Sequence, residues 1–189
     1  LFFLTPNHPN IIDLLGQCKS GNQRAQMEVY NRYYKAMYNT SLRIVKDRFK
    51  AEDIMQESFL NAFTKLDSLK EPAMFGPWLK RIVVNNSIYE YHKHQKNNDV
   101  PLEYVLYKVE DNQGVTEDYE WTNAKAAQIM ECMKSLKENY QIGLTLFLIE
   151  GYDYEEICEI MNISYANCRT MISRAKDSLR QKLKPVMGY

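Results

Sequence analysis

The chain has 189 residues, enough for one medium domain or two small ones, and its 24 basic and 24 acidic side chains cancel. With 45% hydrophobic and 25% charged residues but only 7 Gly and 6 Pro, the composition excludes a wholly disordered chain and fits a turn-rich all-β chain poorly. No run approaches the ~18 apolar residues of a membrane span, and Leu1 to Leu4 is too short for a signal-peptide core, so no direct membrane insertion is expected.

Helical periodicity dominates from the start. Ile11, Ile12, Leu14, Leu15 and Cys18 form a short apolar face that the Ser20-Gly21-Asn22 turn ends. A long helix follows from Gln23. On it Ala25, Val29, Tyr33 and Met37 recur every four residues beside Tyr30, Tyr34, Tyr38 and Leu42, a double stripe able to face two neighbours. After Lys50, Met55, Phe59, Ala62, Phe63 and Leu66 line a third helix. Asp67 to Pro77 reads as a loop, and Gly76-Pro77 starts a fourth helix that carries Trp78, Leu79, Ile82 and Val83 to about Lys96. Residues 97–118 lose the period and hold a Pro, a Gly and six acids, which predicts a linker. Its Leu102, Tyr104, Val105, Leu106 and Tyr107 predict that part of it docks. The helical pattern resumes at Trp121 with Ala126, Ile129, Met130, Met133 and Leu136, and continues from Leu144 to Ile149. A last pair, Tyr154 to Met161 and about Tyr165 to Leu183, is separated by Asn162-Ile163-Ser164. The expected fold is all-α: two small helical domains, 1–96 and 121–189, joined by a linker at 97–120, the second containing a helix-turn-helix.

The zero net charge hides a pattern. Residues 1–98 carry a net +5, residues 99–161 a net −10, and residues 162–189 a net +5. A basic C-terminal helix suits phosphate contact, whereas an acidic linker repels DNA. Cys18, Cys132, Cys158 and Cys168 form no Cys-x-x-Cys and have no His at ligand spacing, so they read as reduced core thiols of a cytoplasmic protein. The missing initiator Met suggests a trimmed numbering.

The final pair of helices carries the clearest chemistry. Ile157, Ile160 and Met161 put an apolar edge on a short helix, Asn162 and Ser164 supply turn and cap, and a longer helix begins at once. On it Cys168, Ile172, Ala175, Leu179 and Leu183 point inward at three- and four-residue spacing. Ala166, Thr170, Ser173, Arg174 and Arg180 then face outward, with Arg169 and Lys176 on one flank and Asn167 on the other. Such a face suits phosphate binding and base-edge reading in a major groove. A solvated amphipathic helix has the same pattern.

The stretch EGYDYEEICEIMNISYANCRTMISRAKDSLRQKL resembles the C-terminal promoter-recognition domain of sigma-70 family sigma factors of the extracytoplasmic-function (ECF) group. Glu150-Gly151-Tyr152, Glu156-Ile157-Cys158 and Arg174-Ala175-Lys176 match in place, while Lys137 replaces the usual Pro. AEDIMQESFLNAF, residues 51–63, resembles the family's helix that binds the clamp helices of the largest polymerase subunit. Asp53, Gln56, Glu57 and Leu60 fall at i, i+3, i+4 and i+7 and share one face. Read without the family, this is an acidic helix surface. FGPWLKRIVVNNSIYEYHKHQK, residues 75–96, resembles the family's −10 element helix. Trp78, Leu79 and Ile82 fit its core, and Asn85 takes the position that implies contact with an unpaired promoter base. Its neighbour Asn86 joins that set, and Lys80, Arg81 and Lys93 supply phosphate contacts by charge. Tyr89 and His92 stand where the family often has Asp and Arg. The loop Leu69 to Gly76 then flanks a flipped base, with Met74 and Phe75 as packing partners; plain core packing is the other reading of Phe75.

The resemblance implies a sigma factor whose partners are the RNA polymerase core, at its largest-subunit clamp and its flap, and promoter DNA. Asn167, Arg169, Thr170, Ser173, Arg174, Lys176 and Arg180 would meet the −35 element. It implies no catalytic residue, metal or cofactor, and admits an anti-sigma factor as a further partner. The alternative is a helix-turn-helix regulator that binds duplex operator alone, which leaves residues 51–63 and 75–96 without a purpose. An enzyme fits poorly: there is no glycine-rich phosphate loop, and His92 and His94 lie about 200° apart on a helix, too far to ligate one metal.

Overall fold

A computed structural model describes residues 10–97 and 117–187, with side chains at 10–93 and 126–185. Among these, every regular element is helical, as the periodicity predicts. The chain divides into two compact units, residues 1–102 and 103–189. Most of the expected linker, with its docking residues Leu102, Val105 and Leu106, lies outside the described residues; residue 97 and residues 117–120 are helical.

In the first unit, short polar side chains decide where helices begin. Helix α1 (Ile11–Lys19) is capped by Asn10, and Asn22 caps α2 (Gln23–Val45) by accepting from the Arg24 and Ala25 amides at 3.0 and 3.2 Å. Between them Gly21 takes φ +81°, a conformation open to glycine. Lys46 ends α2 in the left-handed region, and Asp47 caps α3 (Arg48–Thr64) through the Phe49 and Lys50 amides. That cap starts α3 ahead of the apolar stripe, so the helix begins before Lys50 rather than after it. The expected loop is also more ordered than its composition suggests. Two 3-10 turns, Leu66–Ser68 and Pro72–Met74, lead into α4 (Phe75–Asn97).

The double stripe on α2 does face several neighbours: α2 packs against α1, α3 and α4, and α3 against α4. Tyr30 meets Phe59 of α3 with ring centroids 4.8 Å apart, and Tyr33 meets Phe75 of α4 edge-on at 5.4 Å. A Cβ on Gly76 would lie 3.2 Å from the Tyr33 ring, so this residue lets α4 start close against α2. Further along, Ser87 Oγ donates to the Val83 carbonyl and lies 2.9 Å from Ser41 Oγ, which gives two buried hydroxyls a partner where α2 and α4 meet.

The second unit holds α5 (Glu117–Lys134), α6 (Glu138–Leu144), a π-helical turn at Thr145–Ile149, α7 (Tyr154–Met161) and α8 (Tyr165–Met187). Buried Gln141 donates to the carbonyls of Lys134 and Leu136 at 2.7 and 2.6 Å and so closes the end of α5. α6 crosses α8 at Gly143, where a Cβ would stand 2.8 Å from Met171 Cε. The apolar run 144–149 is not uniformly core. Leu144 and Leu146 are buried while Leu148 and Ile149 are exposed, because the turn carries the chain round to the surface. Asp153 and Glu156 then form a reciprocal capping box on α7. Asn162 takes the left-handed turn, and Ser164 Oγ accepts from the Asn167 amide to start α8. Helix α8 passes Pro185 to Met187, beyond the apolar stripe that ends at Leu183. Pro185 has no amide proton, so the last turn lacks the bond that residue 185 would otherwise give to the Gln181 carbonyl.

Phe75 has no exposed surface and sits in the core with Leu79, Val83, Val29 and Phe59. Phe75→Ala is expected to lower stability by about 3–5 kcal/mol, read by denaturant unfolding of the full chain. A loss below about 1 kcal/mol would mean that the site collapses without a cavity.

Candidate nucleic-acid and polymerase interfaces

Three helix faces carry the residues singled out by the sequence. On α3, Asp53, Gln56, Glu57 and Leu60 are all exposed, while Ala51, Ile54, Met55, Ser58, Phe59 and Ala62 fill the opposite side. Gln56 Nε2 donates to Glu52 Oε1 at 3.3 Å, one turn back along the same surface. The face is therefore acidic, accessible and held from behind by the core.

On α4 the two asparagines part company. Asn85 is exposed, whereas Asn86 is half-buried and its amide donates to Ser58 Oγ at 3.0 Å, tying α4 to α3. Lys80 and Arg81 are half-buried beside it, and exposed Lys93 pairs with Glu90 at 3.7 Å. Of the two loop residues expected near a flipped base, Phe75 is core and Met74 remains at the surface, 49% exposed. At the positions that depart from the family pattern, Tyr89 is exposed and the His92 ring lies 5.4 Å from that of Tyr91.

On α8, Cys168, Ile172, Ala175 and Leu179 are buried and Leu183 is half-buried, which turns Asn167, Arg169, Thr170, Ser173, Arg174 and Arg180 outward. A shallow, open depression is lined by Ala166, Arg169, Thr170, Ser173 and Arg174. Thr170 Oγ1 donates to the Ala166 carbonyl at 2.9 Å, so its hydroxyl faces a ligand as an acceptor. Arg180 pairs with Asp177 at 2.7 Å. Lys176 is half-buried, its ammonium 3.9 Å above the Phe147 ring. That cation–π contact ties α8 to the turn before α7, a structural tie that charge counting does not reveal. Beneath the face, burial and the adjacent Cys158 thiol push the Cys168 thiol up to about 11, so it stays neutral and acts as a small apolar residue.

Tyr165 lies outside the set of outward residues expected from the sequence. It stands in the first turn of α8, 46% exposed, its ring edge-on to Tyr154, which in turn leans on Phe147 at 5.2 Å. Its place four residues before Arg169 was the available signal. Among the described residues no three His, Cys, Asp or Glu side chains converge as metal ligands, and no helix is long and apolar enough to cross a membrane.

Comparison with known proteins gives these faces a context. Residues 29–97 match the family described as Sigma-70 region 2, and residues 126–179 match Sigma-70, region 4. The chain is 29% identical over 157 residues to the ECF RNA polymerase sigma factor SigM of Bacillus subtilis, covering 81% of this chain and 91% of that one. It is 27% identical over 183 residues to the ECF RNA polymerase sigma-E factor of Haemophilus influenzae, covering 92% and 95%. Among solved structures the fold is similar to that of the sigma factor RpoE in complex with the anti-sigma factor NepR from Bartonella quintana, with TM-score 0.58, 19% identity, and coverage of 84% of this chain and 96% of that one. It is also similar to CnrH in complex with the cytosolic domain of CnrY, with TM-score 0.51, 21% identity, and coverage of 92% and 96%. A lone operator-binding helix-turn-helix protein has no need of the first unit, and both units match in order. The chain therefore belongs to the sigma-70 family as an ECF sigma factor, a non-enzymatic subunit that directs RNA polymerase to promoters.

Proposed function

We propose that the three helix faces divide promoter recognition among them. Asp53, Gln56, Glu57 and Leu60 of α3 hold core polymerase, the acids pairing with a basic clamp surface. Asn85 of α4 holds an unpaired base of the −10 element, with Lys80, Arg81 and Lys93 toward the phosphates; Asn86 supports it from behind through Ser58. Arg169, Thr170, Ser173, Arg174 and Asn167 of α8 read the −35 duplex, and Arg180 with Lys176 lies toward its backbone. The observation that carries the reading is the open depression on α8. Of its lining, Arg169, Thr170, Ser173 and Arg174 are among the side chains that the sequence directs at the −35 element.

No covalent chemistry is involved. Capturing each unpaired base by stacking or hydrogen bonding offers about 1–3 kcal/mol, comparable to the cost of opening a base-pair step. Two modules joined by a linker act as one reader when polymerase fixes the distance between them. A factor that works on polymerase and chromosomal DNA acts in the cytoplasm. The relative RpoE is seen with the anti-sigma factor NepR, and a partner of that class is proposed here as well.

Reversing Asp53 and Glu57 together to Lys is expected to abolish retention by core polymerase while leaving unfolding unchanged, since both are exposed. A pull-down in which this variant binds like wild type rejects α3 as the polymerase face. Asn85→Ala is expected to weaken binding to duplex promoter little and open-complex formation strongly. Equal losses on duplex and premelted templates contradict the assignment. On α8, Arg169→Ala is expected to cost about 1–3 kcal/mol on the cognate −35 element and much less on scrambled DNA. Arg180→Ala should weaken all sequences alike and reduce the salt slope by about one unit. Equal loss on both DNAs for Arg169→Ala reassigns that side chain to phosphate positioning.

A further inference from the structure

The acidic face of α3 has apolar ends. Phe49 is 80% exposed and Leu60 is 68% exposed; among the described large hydrophobic side chains only Tyr89, at 71%, lies between them. At about 100° and 1.5 Å per residue, Phe49, Asp53, Gln56 and Leu60 lie within about 60° of one another, and Phe49 and Leu60 stand about 16 Å apart along the helix. Glu52 and Glu57, both exposed, flank this line. Phe49 is not on a loose loop. Asp47 Oδ1 accepts its amide proton at 2.9 Å and that of Lys50 at 3.1 Å, so the ring is presented from the first turn of a capped helix. Its exposure also excludes a packing role, because the core side of α3 is already filled by Ala51, Ile54, Met55 and Phe59.

We propose that Phe49 is an apolar anchor of the core-polymerase interface, extending that face by one turn at its N-terminal end so that Phe49 and Leu60 bracket the acids. This rests on the reading of α3 as the polymerase-binding helix. The charge decides the occupant. Glu52, Asp53 and Glu57 between the two apolar ends repel a phosphate backbone and a second copy of the same face, and they complement a basic protein surface about three helical turns long. Such an arrangement splits the affinity into two parts. The acids supply attraction that salt screens, and the Phe49 ring supplies desolvation that salt does not weaken.

The test is the affinity of the full-length chain for core polymerase, titrated at about 0.05 and about 0.5 M salt. Phe49→Ser is expected to weaken binding roughly 10- to 100-fold at both salt concentrations, with Phe49→Leu restoring most of it and the unfolding midpoint unchanged. Phe49→Gln serves as a second variant if the serine at the helix start disturbs the cap. The Asp53→Lys, Glu57→Lys pair should lose its effect as salt rises. Unchanged core affinity for Phe49→Ser and Phe49→Gln beside a loss for the charge-reversed pair overturns this inference and leaves the reading of α3 intact. Unchanged affinity for all of them overturns both. A Phe49 effect on free-protein DNA binding or self-association, without one on core binding, assigns the ring to another occupant and also overturns the proposal.

Discussion

Tyr30 and Tyr33, one turn apart on α2, hold two different helices: Tyr30 holds α3 through Phe59 and Tyr33 holds α4 through Phe75. This shared aromatic spine sets the angle between the face proposed for polymerase on α3 and the face proposed for DNA on α4. Each helix buries one side against α2 and leaves the other bare. The bare side is where Asp53, Gln56 and Glu57 stand on α3 and Asn85 on α4. The Asn86–Ser58 hydrogen bond and the Ser87–Ser41 contact add polar links between the same helices, so α4 cannot rotate about its axis without leaving buried polar groups unpaired. The base capture proposed for Asn85 would gain from that rigidity, because little conformational freedom remains to be lost on binding.

In the second unit the corresponding constraint is local. The Asp153–Glu156 capping box, left-handed Asn162 and the Ser164 cap fix the turn between α7 and α8, and Cys168, Ile172 and Ala175 lock α8 on its inner side. The outward residues follow from that lock rather than from any interaction among themselves. Charge is sharply divided across the motif. Exposed Glu155 and Glu159 lie on α7, while Arg169, Arg174 and Arg180 lie on α8. The acids on α7 discourage approach of that helix to phosphates and favour docking by the basic helix.

Much of this was legible because helical period and capping chemistry are local. The stripe on α2, the Ser20-Gly21-Asn22 turn, the Ser164 cap and the inward set on α8 all follow from residue type and spacing. What escaped depends on contacts distant in sequence. Asn85 and Asn86 look alike in the chain, and only Ser58, 28 residues earlier, separates an exposed amide from a tethered one. Lys176 looks like any flanking cation in the chain, and only Phe147, 29 residues earlier, shows that it is also tied to the turn before α7. Gln141 gives no sign in sequence that it will close the end of α5. The ordered 3-10 turns before α4 were missed because Pro72 and Gly76 signal a break and say nothing of how the break is packed.

Two differently built units are proposed to read two promoter elements at a distance fixed by polymerase. The most direct test is transcription from a randomised linear DNA library by core polymerase with and without this chain, with sequencing of transcript 5′ ends and their upstream DNA. The expected result is starts that depend on the chain and are preceded by two conserved elements at nearly constant spacing, the upstream one lost on Arg169→Ala and the downstream one on Asn85→Ala. Starts that match those of core alone, or a single upstream element whose distance from the start varies freely, would contradict it.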